Sequence, residues 1–171
     1  MTLPPIDKMW PELPVGDKSI VADLVGGPIA KNIRDNDWDT CCIRVCRALN
    51  YAGAAIADFA GIPNPYMDPG TKVRALKGGD SKWYIYSTYD MRVYLTFKYG
   101  KPKKFKGDAG TDTVSGEAGV IMFGFLHVDL WNGTEVRNHG YFGDPRVKGE
   151  GVLIWPAPKT SPPAPTTPAT Q

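Results

Sequence analysis

Two residue types in this 171-residue sequence have the chemistry for nucleophilic catalysis, a cysteine at the start of a helical segment and a histidine at the start of a strand segment. Cys41 directly follows DNDWDT, a run of turn and helix-capping residues, and it opens an apolar stretch with helical spacing. Unpaired N–H groups at a helix start lower the pKa of a thiol and favour the reactive thiolate. The sequence therefore predicts an activated cysteine at position 41.

A cysteine nucleophile needs a base, and the sequence contains only two histidines. His127 opens the alternating segment HVDLW shortly after the apolar run AGVIMFGF, whereas His139 lies in the polar stretch RNHGYFGD. A base that must be oriented rigidly is better placed on a strand, so we favour His127. Taken alone this pattern is weak, because a cysteine at a helix start and a strand histidine are each more often structural.

A third residue usually accepts the far imidazole N–H and sets the tautomer of the base. Asn138 lies on or just beyond the strand that returns from an Asn-Gly hairpin signal, where it is expected to face His127. Asp129 shares the strand face of His127 but stands two residues along the chain, and Asp144 is a further alternative. We prefer Asn138 and keep the two carboxylates as weaker candidates.

The two halves of the chain differ in the periodicity of their apolar residues, and the elements of both halves must position these residues. The first half has helical spacing over CCIRVCRALNYAG and after STYDM, and the second half has the strand segments AGVIMFGF, HVDLW and VLIW. This order predicts an α+β fold with N-terminal helices packed on an antiparallel β-sheet. One domain is expected over 1–156, followed by a proline-rich tail over 157–171 that is disordered or polyproline II.

Composition narrows the classes of function. The formal net charge of +2 is too small to indicate nucleic-acid binding. No apolar run approaches the roughly 20 residues that span a membrane, and the N-terminus lacks the pattern of a secretory signal. The expectation is a protein made in the cytoplasm without a signal peptide, without membrane insertion and without a cofactor.

The three cysteines lie within six positions, at Cys41, Cys42 and Cys46, and they form a poor framework for disulfides. At least one thiol is therefore expected to be free. A zinc-binding module built on these cysteines and a histidine is an alternative, but adjacent thiols at one helix start have poor tetrahedral spacing. Cys42 and Cys46 are interpreted as core side chains.

Several segments also resemble a known family, the type VI secretion amidase effectors of family four. The similar segments are GGPIAKNI (26–33), TCCIRVCRALN (40–50), WYIYSTYDMRVYLT (83–96), HVDLWNG (127–133) and VLIWP (152–156). They occur in the same order as in that family. The Cys-x-Ile-Arg and His-Val-x-Leu-Trp-Asn-Gly motifs are the most specific of them.

The resemblance implies a papain-like fold of the NlpC type that hydrolyses the γ-D-glutamyl–meso-diaminopimelate bond of peptidoglycan stem peptides. It implies Cys41 as nucleophile, His127 as base and Asn138 at a third position that is usually an acid. It also implies delivery by the type VI secretion machinery into the periplasm of a target bacterium, and a cognate immunity protein that blocks the cleft. Arg44 is a candidate for binding substrate carboxylates. The alternative is a catalytically inactive papain-like module that binds the cell wall or a protein, because Asn138 replaces the acid.

Overall fold

Residues 1–160 are described in a computed structural model of the protein; residues 161–171, and with them most of the predicted proline-rich tail, lie outside the described residues. The helices span Ile6–Met9 (α1), Lys18–Val25 (α2), Gly27–Asp35 (α3), Cys41–Tyr51 (α4), Thr88–Tyr99 (α5) and Thr111–Val114 (α6), with a 3-10 turn at Pro145–Val147. The strands span Ala75–Lys77 (β1), Trp83–Ile85 (β2), Lys103–Phe105 (β3), Gly119–Phe123 (β4), His127–Trp131 (β5) and Val152–Pro156 (β6). Among residues 1–160, no helix is long and apolar enough to cross a lipid bilayer.

A four-stranded antiparallel sheet forms the centre of the fold, in the order β3-β6-β4-β5. Strands β1 and β2 form a separate antiparallel pair. Every residue of β4 and β5 is buried, which explains why β4 reads as a continuous apolar run in the sequence. The predicted α+β fold, with helices in the first half and antiparallel strands in the second, is confirmed.

Two apolar clusters lie on the sheet. The larger cluster contains Met122 and Leu130 together with the buried faces of α2, α3 and α4. The smaller cluster contains Ile121 and Trp131, against which side chains of the segment after β5 pack. Neighbouring residues of a strand thus belong to different clusters, as the alternation of side chains along a β-strand requires.

Helix α4 carries all three cysteines and packs against both β2 and β5. Ile43 and Leu49 on this helix are completely buried. Arg44 attaches the preceding segment to the helix, because its guanidinium donates to the carbonyl oxygens of Pro14 and Gly16 at 2.6 and 2.7 Å. The beginning of α4 is therefore held on one side by the sheet and on the other by the N-terminal segment.

The strand expected to return from the Asn-Gly hairpin over 134–137 is reduced to a single bridge, between Trp131 and Val136. One further backbone bond follows, from the N–H of Arg137 to the carbonyl oxygen of Leu130 at 2.9 Å. Pairing with β5 ends at that bond. The residues after it leave the sheet as an irregular segment that packs on the smaller cluster.

The chain remains attached to the body immediately after β6. The N–H of Ala157 donates to the carbonyl oxygen of Ala118, and the carbonyl oxygen of Pro158 accepts from Ile6, both at 2.8 Å. The first residues of the segment assigned to the tail thus extend the contacts of β6.

Candidate active site

The thiol of Cys41 lies at the first residue of α4, as the sequence predicts, and the residue is 7% exposed. Its backbone N–H donates to the carboxylate of Asp39 at 2.7 Å, while Thr40, the N-cap residue, makes no side-chain capping bond. Cys41 lines two cavities, one polar and one aromatic. A substrate can therefore approach the sulfur with groups on both sides of it.

His127 is the first residue of β5, and it borders the polar cavity together with Cys41. The imidazole lowers the pKa of the Cys41 thiol and the thiol raises the pKa of the imidazole, as expected for two groups that lie close together. The packing of α4 on β5 produces this contact, since the first residues of both elements lie at the same edge of the molecule. The structure thus brings together the two residues that the sequence singles out.

The imidazole of His127 is held by Asp129, whose Oδ2 lies 3.2 Å from Nε2. The two side chains share a face of β5 because they are two residues apart. This contact corrects the sequence-based preference for Asn138 as the side chain next to the ring. Asn138 is exposed and lies beyond the last backbone bond to β5, and it reaches the group only through its backbone N–H, 3.2 Å from Oδ2 of Asp129.

The carboxylate of Asp129 is 1% exposed and accepts four hydrogen bonds. Besides the imidazole, its donors are the backbone N–H groups of Leu130 at 2.8 Å, Asn138 at 3.2 Å and His139 at 3.0 Å. These bonds offset the desolvation of a buried charge and fix the orientation of the carboxylate. His139, the second histidine, contributes to the site through its backbone.

The three cysteines are free thiols and differ in acidity. A hydrogen bond with Cys42, whose sulfur lies 3.9 Å away, and the nearby imidazole of His127 together lower the pKa of Cys41 to about 7, against the effect of burial. Burial raises the pKa of Cys42, and it raises the pKa of Cys46 to about 12. Burial lowers the pKa of His127, but hydrogen bonds to Asp129 and Cys41 outweigh it and raise the pKa to about 9. Cys41 is therefore the thiol that ionises near neutral pH, opposite a protonated imidazole.

The polar cavity has a volume of about 340 Å³ and opens in front of the thiol and the imidazole. Its wall carries charges of both signs, from Lys18 and Arg44 and from Asp37 and Asp39. Lys18 and Asp37 also form an ion pair with each other. A ligand that carries both an ammonium and a carboxylate group would match this wall.

Arg44, the residue predicted to bind substrate, lies in the wall of the polar cavity but is only 5% exposed. Its Nε donates to Oγ1 of Thr40 at 3.0 Å, and its two terminal nitrogens donate to Pro14 and Gly16. The bonds to Pro14 and Gly16 hold the N-terminal segment against α4. Substrate binding by Arg44 remains a prediction. The hydrogen bonds that Arg44 makes in the substrate-free protein stabilise the local fold.

Sequence reasoning did not identify the aromatic cavity next to Cys41. The aromatic cavity has a volume of about 310 Å³, and Tyr86, Tyr89 and Phe125 line it. The only local signal for Asp129 was its spacing of two residues from His127 on a strand. Within residues 1–160, no group of three or more His, Cys, Asp or Glu side chains is arranged to hold a metal ion.

Comparison with known proteins finds similar sequences and structures. The model of a family described as type VI secretion system amidase effector protein 4, Tae4, matches residues 38–155. The type VI effector-immunity complex Tae4-Tai4 from Salmonella Typhimurium contains a chain with 27% sequence identity and a TM-score of 0.75, over 91% of this chain and 99% of that one. The effector Tae4 from Enterobacter cloacae has the same fold at 23% identity, with a TM-score of 0.72 over 92% of this chain and 99% of that one. Comparison with curated proteins gives no match.

Proposed function

Because the chain belongs to the type VI secretion amidase effector protein 4 family, we propose that it hydrolyses the γ-D-glutamyl–meso-diaminopimelate bond of peptidoglycan, with Cys41 as nucleophile. The family assignment makes it an antibacterial amidase effector that acts on peptidoglycan. The observation that carries the finer proposal is the series of Cys41, His127 and Asp129, in which the thiol and the imidazole line one cavity and the carboxylate is hydrogen-bonded to the imidazole. A series of this kind is the arrangement of papain-like hydrolases.

The reaction begins from the thiolate of Cys41 beside the imidazolium of His127. The thiolate attacks the amide carbon, and the carbonyl electron pair moves to oxygen to form a tetrahedral oxyanion. As the oxyanion collapses, the C–N bond breaks and His127 protonates the leaving amine of diaminopimelate. Water, deprotonated by His127, then hydrolyses the thioester and releases the glutamyl carboxylate and the thiol.

The backbone N–H of Cys41 is the proposed donor to the oxyanion, because it belongs to the nucleophile and opens a helix. In the substrate-free protein this N–H is bonded to Asp39 at 2.7 Å. Asp39 is exposed, so its side chain is able to rotate toward solvent when the substrate carbonyl arrives. The N–H of Cys41 then donates to the oxyanion instead of the carboxylate of Asp39, and both acceptors are negatively charged.

The contact between Asp129 and His127 supports an active enzyme over an inactive binding module. The inactive alternative depended on Asn138 replacing an acid, since an amide gives less support to an imidazolium than a carboxylate. Here a buried carboxylate is bonded directly to the ring. The argument from Asn138 therefore loses its basis.

The mixed charges of the polar cavity support diaminopimelate as the leaving group. Its side-chain centre carries an ammonium and a carboxylate, which suit Asp37 and Lys18, respectively. The Salmonella Tae4 forms a complex with the immunity protein Tai4. By analogy, we expect a cognate immunity protein that covers this cavity, and delivery by the type VI machinery into the periplasm of a target bacterium.

The proposed function is tested by digesting muropeptides that contain meso-diaminopimelate and identifying the products by mass spectrometry. The expected products are a fragment that ends in a free γ-glutamyl carboxylate and a diaminopimelyl peptide with a free α-amine. Their masses sum to that of the substrate plus one water. Intact muropeptides after incubation with folded protein, or cleavage at another amide bond, would contradict the proposal.

The pH dependence of kcat/KM is expected to be bell-shaped. Activity rises through about pH 7 as Cys41 ionises, and it falls above about pH 9 as His127 loses the proton needed by the leaving amine. In Cys42→Ala the rising limb moves to higher pH, because the thiolate loses the donor 3.9 Å away. The measurement is initial rate against pH on a soluble muropeptide.

Cys46→Ala is the matched control for this pH shift. Cys46 lies on the same helix, but its sulfur accepts from the backbone N–H of Ile85 at 3.2 Å instead of contacting the nucleophile. Its removal is expected to lower thermal stability and leave the rising limb in place. An unmoved limb in Cys42→Ala, or an equal shift in both variants, would show that Cys42 does not stabilise the thiolate.

A further inference from the structure

The aromatic cavity beside Cys41 has no role in the chemical steps above. Its volume of about 310 Å³ is at the low end of the range for small-ligand sites. Aromatic rings make up one side of it, and Ser87 adds a hydroxyl that makes no helix-capping bond. Apolar walls with a few polar groups are typical of a site that binds a ligand in a defined orientation.

Tyr89 is one of the aromatic residues that line this cavity. Its ring stacks on Phe125, with ring centroids 4.4 Å apart and an interplanar angle of 18°. Phe125 is itself fixed, because its carbonyl oxygen accepts from Oγ1 of Thr88 at 2.7 Å and the guanidinium of Arg92 lies 4.6 Å from its ring centroid. Tyr89 nevertheless remains 39% exposed. A ring that is supported on one side and exposed on the other is a preformed stacking surface.

The two cavities that meet at Cys41 differ in charge. The polar cavity carries Lys18, Arg44, Asp37 and Asp39, whereas Asp39 is the one side chain with a fixed charge that lines the aromatic cavity. A stem peptide has a matching asymmetry about the scissile bond. Its diaminopimelyl side is zwitterionic, whereas its other side, beyond the free α-carboxylate of the glutamyl residue, leads through alanine and a lactyl group to an uncharged amino sugar.

The length of that second side sets how far from the sulfur a sugar can bind. Glutamate, alanine and the lactyl group place the sugar roughly 10 Å from the scissile carbon, at about 3.5 Å per extended residue. We propose that the aromatic cavity is a subsite for the glycan side of the substrate, in which Tyr89 stacks on an amino-sugar ring; this rests on the proposed function. The C–H face of a pyranose is apolar and flat enough to lie on an aromatic ring, and the hydroxyl of Ser87 offers a polar contact at the edge.

The test compares two substrates, a disaccharide tetrapeptide and the same tetrapeptide without its sugars. The readout is the ratio of their kcat/KM values, which is unaffected by the fraction of folded enzyme. The wild-type ratio is expected to exceed one, and Tyr89→Ala is expected to lower it about three- to tenfold toward one, as the stacking contact is lost. Tyr89→Phe keeps the ring and is expected to keep the ratio.

Phe97→Ala is the matched control, because Phe97 is a 63% exposed aromatic residue on the same helix and does not line the cavity. Its ratio is expected to equal that of the wild type. An unchanged ratio in Tyr89→Ala, or an equal fall in Phe97→Ala, would overturn the subsite. Wild-type protein that cleaves both substrates equally well contradicts the subsite alone, whereas protein that cleaves neither contradicts the proposed function itself.

Discussion

Cys41→Ala and His127→Ala are each expected to lower kcat/KM on muropeptides by at least about 10⁴-fold, and the double variant is expected to be no worse than either. The reason is that the two side chains act as one unit. Without the thiol no thioester forms, and without the imidazole the thiol loses a hydrogen-bond partner that lowers its pKa and the leaving amine loses its acid. The measurement is the rate of product release, followed by mass spectrometry over long incubations.

This result is informative only if the variants fold. Cys41 and His127 lie at the edge of the core and are each 7% exposed, so their truncation is expected to leave the thermal unfolding midpoint within a few degrees of the wild type. Cys46→Ala provides the opposite control, because Cys46 is completely buried and its loss affects packing rather than chemistry. Losses that multiply in the double variant would mean that the two residues act in separate steps, against the proposed mechanism.

The second large effect is expected at Asp129 rather than at Asn138. Asp129→Asn is expected to lower kcat about 10²- to 10⁴-fold, since an amide at this position no longer stabilises the imidazolium and can favour the wrong tautomer of His127. The falling limb of the pH profile is expected to move to lower pH, because the hydrogen bond to Asp129 helps to raise the pKa of His127. A structural defect alone would not produce that shift.

Asn138→Ala is the matched comparison. The structure uses the backbone N–H of Asn138 to hold Asp129, and an alanine keeps that N–H. Activity is therefore expected to fall less than about fivefold, with an unchanged pH profile. If Asn138→Ala instead abolished activity while Asp129→Asn did not, the third catalytic role would belong to Asn138, as the sequence alone had suggested.

Much of the fold follows from periodicity. The helical spacing after Thr40 and the apolar run before His127 predict α4 and β4 close to their observed positions, because burial on one or both faces imposes those patterns. The sequence pattern does not predict the short strands β1 and β3. Each has three residues, and their pairing is with distant segments, so local composition carries little trace of it.

The candidate site, too, follows in part from the sequence and in part only from the tertiary structure. The sequence by itself determined which residues are able to act as nucleophile and base, because a cysteine at a helix start and one of only two histidines leave few choices. Only the tertiary structure decided that Asp129 contacts the ring and Asn138 does not. The partner of an imidazole depends on where a hairpin stops pairing and how a loop leaves the sheet, and both are set by contacts between residues far apart in the chain. The aromatic cavity has the same origin, because its rings come from the segment after β2, from α5 and from the turn before β5, and they meet only after folding.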